Sequence, residues 1–92
     1  MYRIRWTASF KQDYKLAQKR GKKMERLTHV VDILASGEKL PPEYKDHDLR
    51  GDYTGYRECH VESDWLLVYK IARNVLLLTL YRTGSHSDLF NK

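Results

Sequence analysis

The sequence predicts a single α+β domain over residues 1–92: an antiparallel β-sheet of about four strands, an N-terminal helical hairpin packed on one face and a short C-terminal helical turn. Three observations carry that prediction. Apolar residues recur at helical spacing up to about residue 35. From Tyr56 onward the pattern is strand throughout, broken only by turn dipeptides. At 92 residues and 41% hydrophobic content the chain suits one domain with one core.

Residues 2–6, YRIRW, alternate and predict a short first strand that joins an edge of the sheet, with Tyr2, Ile4 and Trp6 on one face. Thr7 or Ser9 can cap a helix running to about Arg20, where Gly21 stops it. Phe10, Tyr14 and Ala17 give that helix a narrow apolar stripe among lysines. A second helix covers about Lys23 to Ala35, with Met24, Leu27, Val31 and Leu34 as its apolar face and Gly37 as its stop.

Residues 38–55, EKLPPEYKDHDLRGDYTG, contain two prolines and two glycines with no clean period. Long loops in small domains often carry function, so this is the first segment to search for a site. Three strands follow: YRECHVE, a Ser-Asp turn, WLLVYKIA, an Arg-Asn turn, and VLLLTLYRT. Tight turns between them predict an antiparallel meander. In the tail SHSDLF, Ser85 precedes Asp88 by three residues, a capping-box-like start to one helical turn.

Charge is placed unevenly. Residues 1–40 hold ten Lys/Arg against four Asp/Glu, and residues 41–92 hold seven against eight. The stretch from residue 11 to 26 carries Lys11, Lys15, Lys19, Arg20, Lys22, Lys23 and Arg26 against Asp13 and Glu25. Such a stripe attracts phosphate backbones or an acidic protein partner, or is simply a solvated helix face. A lone cysteine, Cys59, forbids an internal disulfide and fits a reducing compartment. No window reaches the length of a membrane span and the amino terminus lacks a signal-peptide form, so a cytoplasmic protein with no membrane partner is expected.

If both hairpin loops are two residues long, the register can be counted. Glu62 then faces Trp65, His60 faces Leu67, Ala72 faces Val75, Leu67 faces Leu80, and Trp65 faces Arg82. Opposed side chains share a face, so His60, Glu62, Trp65 and Arg82 are expected at one end of one face. Cys59 and His60 then point to opposite faces, and His29, His47 and His86 show no ligand spacing with them. No metal site, no cofactor and no Cys-His nucleophile pair is expected, and no GxSxG, P-loop or GxGxxG occurs.

Histidines outside the helices, an acid in a turn, an arginine and a basic surface suit metal-free RNA cleavage. The RNA brings its own nucleophile, the 2′-hydroxyl. Histidine suits the proton transfers and arginine the phosphate charge. Each residue also has a plainer reading. His47 can be a loop histidine bonded to Asp46 or Asp48, and His60 a strand residue paired across the sheet. Asp64 suits a hairpin turn for backbone reasons. Trp65 can belong to the core, Arg82 can cap the edge against Glu62, and Phe90 can plug the tail. His86 alone has no packing reason to be histidine.

The runs YKDHDLRGDYTGYRECHVESDWLLVYK, RTGSHSDLF and DYKLAQKRGKKM resemble the YafQ-type branch of the RelE/ParE toxin superfamily over essentially the whole chain. That resemblance implies a RelE-like fold and a ribosome-dependent mRNA endonuclease, the toxin of a toxin–antitoxin pair, cutting in the A site without a metal. It implies a functional set of His47, His60, Asp64, Trp65, Arg82, His86 and Phe90. His86 would transfer a proton and Arg82 would stabilise phosphate charge. His47, His60 and Asp64 would position the 2′-hydroxyl and share the other proton step, while Trp65 and Phe90 shape a base pocket. The basic segment, Lys11, Lys15, Lys19, Arg20, Lys22 and Lys23, would meet ribosomal RNA, and an acidic segment of a RelB/DinJ-like antitoxin would cover the same surfaces. A gyrase-inhibiting ParE-like toxin is the main rival on the same fold, and it has no need of the histidine set; a catalytically silent binding protein is the second.

Overall fold

Thr7 opens the first helix as its sequence suggests, its hydroxyl accepting the Phe10 N–H at 3.0 Å. In the computed structural model, which describes residues 1–90, the order is β1 (Arg3–Trp6), α1 (Ala8–Lys19), α2 (Met24–Ala35), β2 (His47–Asp48), β3 (Arg57–Glu62), β4 (Trp65–Ala72), β5 (Leu77–Gly84) and α3 (His86–Phe90). Gly21 and Gly37 follow the two long helices with positive φ, the left-handed turn that ends a helix at low steric cost. The loop before β3 is not structureless: 3₁₀ turns form at Pro42–Tyr44 and Gly51–Tyr53, with β2 between them.

The sheet has five strands rather than about four, in the order β1-β5-β4-β3-β2, and it is mixed. The first strand does join an edge, but it runs parallel to β5, with Trp6 opposite Leu80. Nearly the whole chain lies between those two strands, which gives a parallel pair the long connection it needs.

Phe10, Leu27, Val30 and Leu34 of the helices pack on Cys59, Leu67, Tyr69, Leu78 and Leu80 of the sheet to form the main core. Leu66 and Val68 point to the opposite face, where α3 lays Leu89 over them. The chain thus buries residues on both faces of β4, which explains the unbroken apolar run WLLVY. No described helix is long and apolar enough to cross a membrane.

Three features overturn the counted register. The β4–β5 loop is Arg73–Leu76, four residues rather than two, so Ala72 faces Leu77. Val75 and Leu76, expected in the strand, are exposed in this loop, and Leu76 has a φ of 51°. An irregularity between Val68 and Tyr69 then skips Tyr81 on β5, leaving Arg82 opposite Val68 and Thr83 opposite Leu67. A second one, between His60 and Glu62, keeps Glu62 opposite Trp65 but moves His60 opposite Leu66. Each bulge sends the residues beyond it to the other face. Trp65 and Glu62 therefore lie on the helical side, while His60 and Arg82 lie on the α3 side.

Candidate functional site

The α3 side of the sheet collects the ionisable groups. His47 on β2 pairs with Glu58 on β3, and Glu58 with Val68 on β4, so strand alternation brings His47, Glu58 and His60 onto one face. Glu58 is 6% exposed, with Oε1 3.5 Å from His47 Nε2 and 4.0 Å from His60 Nε2. His47 Nδ1 donates to the Lys45 carbonyl at 2.9 Å. Asp46, one residue earlier, accepts from Arg57 and from the Tyr69 hydroxyl, which anchors the chain leading into β2.

His86 arrives from the other end. Ser85 and Asp88 form the capping box expected of them: the Ser85 N–H donates to Asp88 Oδ2 and the Asp88 N–H to Ser85 Oγ, each at 3.0 Å. Arg20 of the α1 terminus donates to Asp88 at 2.7 Å and clamps the short helix to the hairpin side. That guanidinium, with the Ser85 N–H, holds the Asp88 carboxyl down at about 2. Gly84 lets the turn close, since a Cβ there would come within 3.0 Å of Asp88.

Asp64, in the β3–β4 turn, grips His86 twice. Its Oδ1 accepts the His86 backbone N–H at 3.0 Å and the ring Nδ1–H at 2.7 Å. Those two bonds lower the Asp64 pKa. With Nδ1 committed as a donor, Nε2 is the nitrogen left to exchange a proton. The His60 ring lies edge-on to the His86 ring, with centroids 5.7 Å apart. Asp64, His86, His60, Glu58 and His47 thus run as a continuous chain of charged and proton-bearing groups across one face. Glu58, His60 and His86 each offer one ligand atom within 4.8 Å of the others, so this trio can also hold a metal ion. Linear spacing hid that grouping.

Arg82 stands at the edge of the same face. Its Nε and Nη2 donate to Asp13 of α1 at 2.6 and 3.2 Å, and Asp13 raises its pKa. Arg82 and Asp64 both line a cleft whose wall also includes Lys22, Ser85 and Trp65. Trp65 is 1% exposed and donates its indole N–H to Thr83 at 3.0 Å. It belongs to the core and forms the floor of the cleft, with Lys22 above its ring, and it offers no open stacking face. Trp65 was expected opposite Arg82; the longer β4–β5 loop and the bulge in β5 carry Arg82 to Val68, and the Thr83 hydroxyl meets the indole instead. Phe90 is half-buried, edge-on to Tyr53 with centroids 5.6 Å apart, and it packs on the Leu66–Val68–Leu89 cluster. Lys11, Lys15 and Lys19 recur every fourth residue on the exposed face of α1, and Lys23 is exposed as well. Arg20 is tied to Asp88, and Lys22 leans over Trp65.

The sequence reasoning missed Glu58 and Asp13. Glu58 lies two residues before His60 on a strand, a spacing that already places both on one face. Asp13 is the single acid of α1, a signal visible in the sequence.

Residues 2–91 match the family model described as "Bacterial toxin of type II toxin-antitoxin system, YafQ". The chain is 44% identical over 88 residues to "mRNA interferase toxin YafQ" of Escherichia coli (strain K12), covering 95% of this chain and 94% of that protein. Among solved structures it resembles the E. coli DinJ–YafQ complex, with 43% identity, a TM-score of 0.90, and coverage of 98% and 99% of the two chains. It also resembles a metal-bound toxin from Helicobacter pylori, with 43% identity, a TM-score of 0.92, and coverage of 98% and 100%.

Proposed function

This chain belongs to the YafQ family of bacterial type II toxin–antitoxin toxins, and from that premise we propose that it is a ribosome-dependent endoribonuclease cutting mRNA in the A site without a metal. The observation that carries the proposal is the pairing of His86 with Asp64 beside His60. An aspartate that fixes one imidazole nitrogen leaves the other poised for proton transfer, and a second histidine stands next to it. The "mRNA interferase" name of the E. coli relative accords with that chemistry.

The reaction needs three things of the protein. A base removes the 2′-hydroxyl proton as that oxygen attacks phosphorus. A cation balances the charge gathered on the phosphorane oxygens. An acid protonates the departing 5′ oxygen, leaving a 2′,3′-cyclic phosphate and a 5′-hydroxyl. His86 Nε2 and His60 are the proton carriers, and His47 and Glu58 hold the far side of the face. Arg82, charged at every working pH, serves the phosphate. Phe90 and its aromatic neighbours Tyr53 and Tyr81 offer ring surface for a nucleotide base. The lysines of α1 supply a sequence-independent hold on ribosomal RNA.

A metal seated on Glu58, His60 and His86 would take up both proton carriers. On this reading such a cation inhibits, so cleavage survives chelation and falls with added Zn²⁺. An acidic antitoxin segment, as the DinJ–YafQ likeness suggests, would cover the basic helix and the cleft.

Incubation with programmed ribosomes and with free mRNA, followed by mapping of 5′ ends, tests the proposal. Cuts confined to ribosome-bound message that vanish in His86→Ala are expected. Cuts in free RNA would mean a different ribonuclease. No cuts at all would favour the gyrase-inhibiting or silent binding alternatives.

A further inference from the structure

Arg82 does not hold its place alone. Asp13, turned into the sheet from a helix whose lysines face solvent, meets it with two bonds, from Nε at 2.6 Å and from Nη2 at 3.2 Å. The same Asp13 Oδ2 accepts the Thr83 backbone N–H at 3.1 Å. This happens at the outer edge of β5 beyond the end of β1, where Thr7 also donates its hydroxyl to the neighbouring Tyr81 carbonyl at 2.8 Å. The Asp13 side chain is 13% exposed against 31% for Arg82, so the carboxylate is the anchor and the guanidinium the group it holds.

We propose that Asp13 is a positioning residue for mRNA cleavage, gripping Arg82 by its Nε side so that its remaining N–H groups are presented to the scissile phosphate. A guanidinium carries five N–H donors in a fixed plane. Asp13 engages one on Nε and one on Nη2, which leaves the Nη1–Nη2 edge, the fork that fits two phosphate oxygens. An unheld arginine samples many rotamers, and ordering it during the reaction raises the barrier. Asp13 removes that cost in advance. The inference rests on the phosphate role proposed for Arg82.

Asp13→Asn separates positioning from scaffolding, because an asparagine carbonyl can still accept the Thr83 N–H but cannot pair with a cation. Single-turnover cleavage on programmed ribosomes should slow by roughly 10- to 100-fold, the scale of a misplaced catalytic group. Ribosome affinity and the thermal unfolding midpoint should change little. In an Arg82→Ala background the Asp13→Asn change should cost nothing further, since both variants remove one function. Should Asp13→Asn fail to fold, Asp13→Glu keeps the charge one methylene away and should fold but cut slowly. Wild-type rates in Asp13→Asn, losses that add in the double variant, or faster cutting once Asp13 stops competing with phosphate would each overturn the proposal. If Arg82→Ala itself cuts normally, the phosphate role fails first and the two failures are distinguished.

Discussion

Thr83 joins the core to the cleft, and its hydroxyl is a sharp point at which to perturb both. The residue is 2% exposed. Its Oγ1 accepts the indole N–H of Trp65 at 3.0 Å and donates to the Leu66 carbonyl at 2.6 Å. Thr83→Val keeps the shape and removes the hydroxyl, so packing is preserved while the indole N–H, on a side chain 1% exposed, loses its partner. An orphaned buried donor costs about 1–3 kcal/mol, and the Leu66 carbonyl loses one of its two possible partners, so the expected total is about 2 kcal/mol. For a domain of this size that lowers the midpoint by roughly 10 °C. Thr83→Ser keeps the hydroxyl and loses a methyl, which costs about 1 kcal/mol. Urea unfolding followed by tryptophan fluorescence measures both, with unchanged m-values showing a true stability effect. If Thr83→Val proves as stable as wild type, or more stable than Thr83→Ser, the hydroxyl bridge does not hold the cleft floor and the reasoning is wrong.

Three other outcomes follow from the site. Asp64→Ala removes the acceptor that commits His86 Nδ1, and single-turnover cleavage should fall by at least about 10-fold while ribosome binding persists; an unchanged rate would detach Asp64 from the mechanism. Asp88 has its carboxyl lowered from 3.8 to about 2, so it contributes stability above its unfolded value that is lost as pH falls through about 2. The midpoint gap between wild type and Asp88→Asn should therefore be flat near neutrality and close between about pH 4 and pH 2, and it should be modest because Arg20 is half exposed to solvent; a gap that widens on acidification would contradict the clamp. Cys59 is fully buried and its thiol is pushed up by desolvation, so a thiol reagent should modify it only on unfolding; fast native labelling would mean that β3 opens.

Local signals were read correctly where neighbours in sequence decide the structure. Thr7, Gly21, Gly37 and the Ser85–Asp88 box act within a few residues, and each does what its spacing implies. Register was harder because it depends on turn length and bulges, which the pattern does not encode. Val75 and Leu76 look like strand residues, yet they sit in the loop, exposed at 53% and 52%. That two-residue error, with one more from the bulge at Tyr81, carried Arg82 from Trp65 to Val68. His60, Arg82 and His86 still reach the same side, whereas Trp65 turns out to be core. The antiparallel expectation failed at β1 because nothing local marks which strand an edge strand will choose, or in which direction. Glu58 was overlooked as an ordinary acid among many, although it is the buried carboxylate between two histidines.

The central claim is that the RNA's own 2′-hydroxyl attacks, with histidines moving the protons and no metal involved. The most direct measurement places a single 2′-O-methyl nucleotide at the mapped cut site of a ribosome-bound message and examines product ends in the presence of a chelator. The account predicts 5′-hydroxyl and 2′,3′-cyclic phosphate ends from the unmodified message, undiminished by the chelator, and no cut at the methylated position. Cleavage of the methylated message, 3′-hydroxyl ends, or activity lost to the chelator and restored by a divalent ion would contradict it.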